Sequence, residues 1–169
     1  MEKEQKWMAM ALERAAYAAE RGDTPVGAVI VQNEACIADG YNTKEYLQDA
    51  CGHAEINAIR AACQALGRWR LDDCTLYVTM EPCPMCAGAI ASAHIRRVVY
   101  GVKDPNAGAM GSVFALHRIP GTPAITVEGG VSEDACREQL MAFFAHRRTT
   151  IRQSKVQRKD TQDEGRSTD

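Results

Sequence analysis

The sequence predicts one α/β domain of three layers, in which helices cover both faces of a mixed sheet of about five strands. Two observations indicate this fold class. Through the middle of the chain, segments with helical apolar periodicity alternate with short runs of β-branched residues, and this order implies parallel strands. A hairpin pattern near the start of the chain adds an antiparallel pair.

The first elements are a helix and the hairpin. Apolar residues recur at helical spacing over residues 3–21, and Gly22 ends the helix. Residues 26–31 and 35–41 are β-type runs separated by a short polar segment, which predicts two antiparallel strands.

The middle of the chain supplies the alternating elements. Residues 42–52 lack periodicity and are predicted as a loop, and residues 53–66 form a helix that ends at Gly67. Residues 74–80 are predicted as a strand, residues 85–94 as a helix and residues 97–102 as a further strand.

The last part of the chain is less regular. Residues 104–112 form a glycine-bearing loop, residues 113–117 one helical turn, and residues 125–128 a short strand. The final helix begins at Ser132. It carries acids in its first turn and Arg147 and Arg148 near its end, an order that suits the helix dipole.

Length and charge set the domain organisation. With 169 residues, of which 46% are hydrophobic and 25% charged, the chain fits one domain with one core. We expect residues 1–151 to form this domain and residues 152–169 to form a polar, disordered tail. The net charge of −2 argues against a strongly basic nucleic-acid protein. Residues 146–159 nevertheless contain basic residues and no acid, which predicts either phosphate contacts or a solvated helix end.

Other protein classes are disfavoured by composition. The uncharged apolar run at residues 25–31 is far shorter than the roughly 20 residues that a bilayer span needs. The charged N-terminus lacks a secretory pattern, so we expect a cytoplasmic protein without a membrane partner. The odd number of cysteines, 7, argues against a disulfide framework. Four of them stand alone among apolar neighbours and are expected to pack in the core: Cys36, Cys63, Cys74 and Cys136.

Two short motifs carry the predicted chemistry. The first is His53-Ala54-Glu55, and the second is the run Pro82-Cys83-Pro84-Met85-Cys86. Pro84 suits the first position of a helix, which places both sulfurs at a helix start where the dipole favours thiolates. Two thiolates and one imidazole suit Zn²⁺, and a zinc ion with three protein ligands keeps a fourth position for water.

Glu55 is the predicted acid and base of this site. A catalytic zinc lowers the pKa of its water to about 7, and a carboxylate beside that water can move its protons. Taken alone, the first motif is weak, and the two cysteines would equally fit a redox pair or half of a zinc knuckle. Together, with a strand entering the second motif, they predict hydrolytic attack on an amidine-like carbon.

These motifs carry a family resemblance. The chain resembles the cytidine deaminase-like fold and looks most like the bacterial tRNA-specific adenosine deaminases. The similarity runs over residues 7–148 and is densest at residues 25–29, 53–55, 75–88 and 104–112. The zinc motif by itself would also fit cytosine, guanine or pterin-type deaminases.

The resemblance implies a substrate and its contacts. The substrate would be the wobble adenosine (position 34) of an arginine tRNA, converted to inosine, with the anticodon stem-loop as partner, one Zn²⁺ per subunit and a homodimer as the assembly. Residues expected to bind substrate, beside Glu55 as the catalytic group and His53, Cys83 and Cys86 as metal ligands, are Asn42, Ala54, Asp104, Phe143, Arg147 and Arg148. The N–H groups of Ala54 and Cys83 are expected donors to the developing charge. The glycine loop could equally be an ordinary turn, and the paired phenylalanines could be core residues.

Three alternatives stay open at this stage. A free-base or nucleoside deaminase would use the same zinc chemistry. A catalytically silent RNA-binding partner would keep the metal, although it would not need Glu55. Cys51, two residues before His53, could be a stray metal ligand or an exposed thiol.

Overall fold

The computed structural model describes residues 2–164. Its five helices are α1 (Glu2–Glu20), α2 (Lys44–Leu47), α3 (Ala54–Leu66), α4 (Pro84–Ser92) and α5 (Glu133–Glu164). Its five strands are β1 (Gly27–Gln32), β2 (Ala35–Tyr41), β3 (Thr75–Met80), β4 (Arg97–Val102) and β5 (Thr126–Gly129). A single 3₁₀ turn covers Leu116–Arg118.

The strands form one mixed sheet in the order β2-β1-β3-β4-β5. Strand β1 is antiparallel to β2 and β3, whereas β3, β4 and β5 run parallel. The turn between β1 and β2 holds Asn33 and Glu34 at φ values of 49° and 61°, the left-handed conformation of a two-residue hairpin turn. The predicted fold class, including the mixed sheet, is confirmed.

Alternate residues of the strands face two apolar layers. On one face, Ile30, Leu76 and Val98 pack in a cluster with alanines of α3 and with Ile90 of α4. On the other face, Val29, Tyr77 and Val99 pack with Trp7, Met8 and Ala11 of α1 and with Cys136 of α5. Burial of apolar surface on both sides of the central strands accounts for their nearly continuous apolar sequence.

A close approach between β2 and α3 sets the position of the first motif. A Cβ atom on Gly40 would lie 2.4 Å from the carbonyl oxygen of Ala54, so only glycine lets α3 pack this tightly on β2. The first turn of α3, with His53 at its N-cap, is thereby held beside the end of β2.

Two predicted segments differ from the structure. Residues 42–52 contain the short helix α2, whose four residues are too few to show helical periodicity in the sequence. The helical turn expected at residues 113–117 is the 3₁₀ turn Leu116–Arg118. Helix α5 also runs on to Glu164, into the segment expected to be a polar tail. The division into a domain of residues 1–151 and a disordered tail stays a prediction.

Candidate active site

One edge of the sheet gathers the residues that the sequence singles out. Because β3 and β4 are parallel to each other and β1 is antiparallel to both β2 and β3, the ends of β2, β3 and β4 meet the start of β1 at this edge. Asn42 follows β2, Cys83 follows β3, and Asp104 follows β4. These residues, together with His53 and Glu55, line a cavity of about 210 Å³.

His53, Cys83 and Cys86 form a compact group of metal-ligand type. The Nδ1 atom of His53 lies 3.6 Å from the Cys83 sulfur and 3.5 Å from the Cys86 sulfur. The three ligand atoms lie within 4.8 Å of one another. In a tetrahedral site with Zn–N of about 2.0 Å and Zn–S of about 2.3 Å, nitrogen and sulfur are about 3.5 Å apart. The donor set and its spacing therefore fit zinc.

Local backbone geometry places these ligands. His53 and Cys83 are N-cap residues with extended backbone, at φ/ψ of −84°/151° and −75°/173°, and Pro84 occupies the first turn of α4 as expected. The caps place an imidazole and a sulfur at two adjacent helix starts, and Cys86 adds its sulfur from the first turn of α4. The positive ends of both helices thus surround the group.

The two thiols interact strongly with each other. The Cys86 thiol donates towards Cys83, and together with contact to His53 this lowers the pKa of Cys83 to about 4. The same interaction with Cys83, followed by burial, raises the pKa of Cys86. Contact with Cys83 also raises the pKa of His53. The lowered pKa of Cys83 favours its thiolate, which is the form that binds metal.

Glu55 is a buried acid that lines the cavity, with 4% of its surface exposed. Burial raises its pKa to about 7, and the nearby Cys83 thiolate acts in the same direction, whereas His53 and the backbone oppose it. A carboxyl group with this pKa can both accept and release a proton near neutral pH. Glu55 lines the cavity together with His53.

Asn42 is fixed by the helix that carries the metal ligand. Its Oδ1 accepts a hydrogen bond of 3.1 Å from the N–H of Ala54. From the sequence, this N–H is expected to face the charge that develops on the substrate. In the structure it is directed to Asn42 instead, because the first turn of α3 packs against the residue that follows β2. A second hydrogen bond joins α3 to the end of β2: the side-chain amide of Asn57 donates to the Tyr41 carbonyl oxygen at 2.9 Å.

Glu81 is a buried carboxylate that the sequence analysis missed. It is 3% exposed, and its oxygens accept hydrogen bonds from the backbone N–H groups of Asp104 (3.1 Å), Met110 (3.0 Å) and Ser112 (3.1 Å). The Ser112 hydroxyl donates to it as well. A Cβ atom on Gly108 would lie 2.3 Å from a Glu81 oxygen, so the glycine lets the loop close over the carboxylate. The sequence offers one indication of Glu81, which is an acidic residue directly before the cysteine motif.

Asp23 is a second buried acid that the sequence did not reveal. It is 1% exposed, and its Oδ2 accepts hydrogen bonds from the N–H groups of Glu45 (2.8 Å) and Tyr46 (3.1 Å). These are free N–H groups of the first turn of α2, so Asp23 anchors that helix from the segment before β1. Lys44, the first residue of α2, lines the cavity as a result.

Comparison with known proteins identifies the site. Residues 1–102, which include all three candidate ligands and Glu55, match the family described as cytidine and deoxycytidylate deaminase zinc-binding region. The tRNA-specific adenosine deaminase of Bacillus subtilis is 42% identical over 85% of this chain and 90% of its own length.

The chain belongs to the deaminase family. It is similar to the group of tRNA-specific adenosine deaminases over most of its length, and its group of one histidine and two cysteines lies within the region that matches the zinc-binding family.

Two solved structures resemble this deaminase. One comes from a study of A-to-I editing by tRNA:A34 deaminases at the wobble position of transfer RNA. It is 44% identical, with a TM-score of 0.77, and covers 80% of this chain and 99% of its own. The other is a guanine deaminase from Bacillus subtilis, 42% identical, with a TM-score of 0.57 over 63% of this chain and 68% of its own. The likeness to the first extends over more of both chains.

The predicted RNA contacts of α5 lie apart from the cavity. Phe143 is half-buried and meets Phe144 edge to face at 5.5 Å, whereas Arg147 and Arg148 are exposed. None of these four side chains lines the cavity of this deaminase. Cys51 is exposed and lies outside the ligand group formed by the described residues. Between residues 2 and 164 no helix is both long and apolar enough to cross a membrane.

Proposed function

We propose that this chain deaminates adenosine to inosine at wobble position 34 of a tRNA, with an arginine tRNA as the substrate. The observation that carries the proposal is the buried Glu55, which lines one cavity together with His53 and Cys83 of the ligand group. The relatives named tRNA-specific adenosine deaminases, similar over most of the chain, support tRNA as the substrate class.

The reaction adds water to C6 of adenine and releases ammonia. A zinc ion held by His53, Cys83 and Cys86, one per chain, would supply Lewis-acid activation of water. Glu55 takes a proton from the attacking water, delivers it to N1 of the ring, and passes a proton to the departing amino group. Its pKa of about 7 suits both transfers.

Other residues hold the base in place. With its oxygen engaged by Ala54, Asn42 offers its amide nitrogen to the cavity as a donor to the nucleotide. The N–H of Cys83, at the start of α4, is placed to stabilise developing negative charge. The base must leave the loop stack to reach this cavity, at a cost of a few kcal/mol. Asp104 also lines the cavity, on the loop that Glu81 organises.

Further contacts complete the proposal. Phe143, Arg147 and Arg148 of α5 would contact the anticodon stem-loop beyond the cavity. The active form would be a cytoplasmic homodimer, and the exposed side chains of Val113 and Phe114, 46% each, would lie in its interface. Sedimentation of the wild type beside a Val113→Asp, Phe114→Asp variant tests the assembly, because only the wild type should sediment as a dimer.

The decisive experiment is sequencing of tRNA after incubation with the purified protein. Inosine is read as guanosine, so conversion appears as an A-to-G change at position 34 of the arginine tRNA. Transcripts of other tRNAs with adenosine at this position test the isoacceptor.

The main rival function is deamination of a free base, as in the guanine deaminase of Bacillus subtilis that this chain resembles. Ammonia release from guanine, cytosine and adenine separates the two functions. Turnover of guanine without conversion of any tRNA would overturn the proposal.

A further inference from the structure

Three tyrosines and one arginine cluster beside the cavity. The Arg21 guanidinium stacks on the Tyr17 ring at 3.3 Å from its centroid and lies 5.9 Å from the centroids of Tyr41 and Tyr46. Tyr17 and Tyr41 meet edge to face at 4.8 Å. We call these four residues the tyrosine cluster. Tyr17 lies on α1, Arg21 directly follows α1, Tyr41 ends β2 and Tyr46 lies on α2.

The cluster residues lie next to cavity-lining residues along the chain. Tyr41 directly precedes Asn42, and Tyr46 lies two residues after Lys44; both Asn42 and Lys44 line the cavity. Asp23 anchors the backbone of Tyr46, and the next residue, Thr24, also lines the cavity. A nucleotide chain that leaves the cavity past Asn42 and Lys44 would therefore pass near the cluster.

The rings are fixed in place but open to solvent. Tyr46 is 55% exposed and Tyr17 is 36% exposed. Arg21 also donates a hydrogen bond of 3.2 Å to the Tyr17 carbonyl oxygen, so the stacked arginine is held at two points. An exposed ring on an anchored backbone offers a stacking face with little conformational entropy left to lose.

Charge indicates how such a surface would bind. Arg21 and Lys44 are offset by the exposed acids Glu20 and Glu45, and the two oxygens of Asp23 accept backbone N–H groups. With basic and acidic side chains in balance, the cluster is poorly suited to bind phosphates by attraction alone. Aromatic faces bind unpaired bases by stacking, whatever the base.

We propose that the tyrosine cluster is a second RNA contact, on which an unpaired base next to the edited nucleotide stacks, with the Tyr46 ring as its main face. This inference rests on the proposed function, because it needs a loop nucleotide inserted in the cavity. It assigns a role to residues outside both the metal site and α5.

The test compares Tyr46→Ala with Tyr46→Phe on a stem-loop RNA. We expect Tyr46→Ala to raise KM roughly tenfold, within the range of one base–aromatic stack, with kcat and zinc content unchanged. Tyr46→Phe keeps the ring and should behave as the wild type. Trp69→Ala is the matched control, since Trp69 is also exposed (61%) and lies near an arginine (Arg70, 5.6 Å), but beyond the far end of α3.

Two further measurements identify the partner base. Replacing each nucleotide beside the edited one with an abasic residue should abolish the Tyr46→Ala effect at one position. The increase in KM caused by Tyr46→Ala should also change little with salt concentration, whereas the effect of replacing Arg147 and Arg148 should depend on it. A Tyr46→Trp variant in a Trp69→Phe background should lose fluorescence when RNA binds.

Failure of this inference can be distinguished from failure of the proposed function. If the wild type converts adenosine 34 and Tyr46→Ala has an unaltered KM, the cluster is not an RNA contact. An equal Tyr46→Ala effect on every abasic RNA would overturn stacking in favour of a structural role or a protein partner. If the wild type converts no RNA at all, the proposed function itself fails.

Discussion

The Glu81 carboxylate accepts hydrogen bonds from both the backbone N–H, at 3.1 Å, and the hydroxyl of Ser112. Through this pair, the residue before the cysteine motif holds the loop that carries Asp104. A buried carboxylate surrounded by donors therefore links the segment that leads into α4 with the loop that carries Asp104.

Replacing Glu81 with Gln should loosen this loop. The amide would place a donor against backbone N–H groups, and each buried group left without a partner costs about 1–3 kcal/mol. We expect lower stability in urea and a higher KM for the RNA, while zinc content stays that of the wild type. Ser112→Ala removes only the hydroxyl and should show a smaller effect of the same kind. Equal KM values for Glu81→Gln and the wild type would contradict the positioning role.

Glu55→Gln should separate binding from turnover. The amide fills the same space but cannot shuttle protons, so we expect zinc and RNA binding to persist while kcat falls by at least about 10²- to 10⁴-fold, as for loss of a general acid–base group. Single-turnover kinetics and metal analysis on the same preparation measure both. Substantial turnover by this variant would require another proton shuttle.

Substitution of a metal ligand should remove zinc, whereas substitution of the exposed neighbouring thiol should not. Cys83→Ala leaves two of the three ligands, so we expect metal content and activity to fall together. Cys51→Ser is the matched control, since Cys51 is exposed and lies outside the ligand group. Metal analysis by mass spectrometry gives the stoichiometry, for which we expect one zinc per chain. A lower zinc content in Cys51→Ser than in the wild type would indicate that Cys51 is a metal ligand.

The exposed arginines of α5 should contribute through charge. We expect the double change Arg147→Ala, Arg148→Ala to weaken RNA binding and to reduce the slope of log K against log salt by about 1.4–1.8, because two phosphates would no longer be neutralised by the protein. Arg60 and Arg96 are exposed elsewhere, and their double change to Ala removes the same amount of charge. Filter binding at several salt concentrations compares the two variants. Identical slopes for the two variants would indicate that this part of α5 is a solvated helix without specific RNA contacts.

Local signals in the sequence determined much of this protein. A proline after Cys83 and a histidine before an apolar helical pattern mark two helix starts, so the ligand types and their helical settings follow from neighbouring residues alone. Alternation of strand and helix likewise determined the three layers, because apolar periodicity records which faces must be buried.

Tertiary structure decided what depends on contacts between distant segments. The strand order brings the ends of β2, β3 and β4 to one edge, and only this makes Asn42, Cys83 and Asp104 neighbours. The partner of the Ala54 N–H, the loop contacts of Glu81 and the anchoring of α2 by Asp23 span 12 to 31 residues of sequence. No periodicity in the sequence indicates such hydrogen bonds, because a buried polar group needs only a partner in space, whatever its distance along the chain.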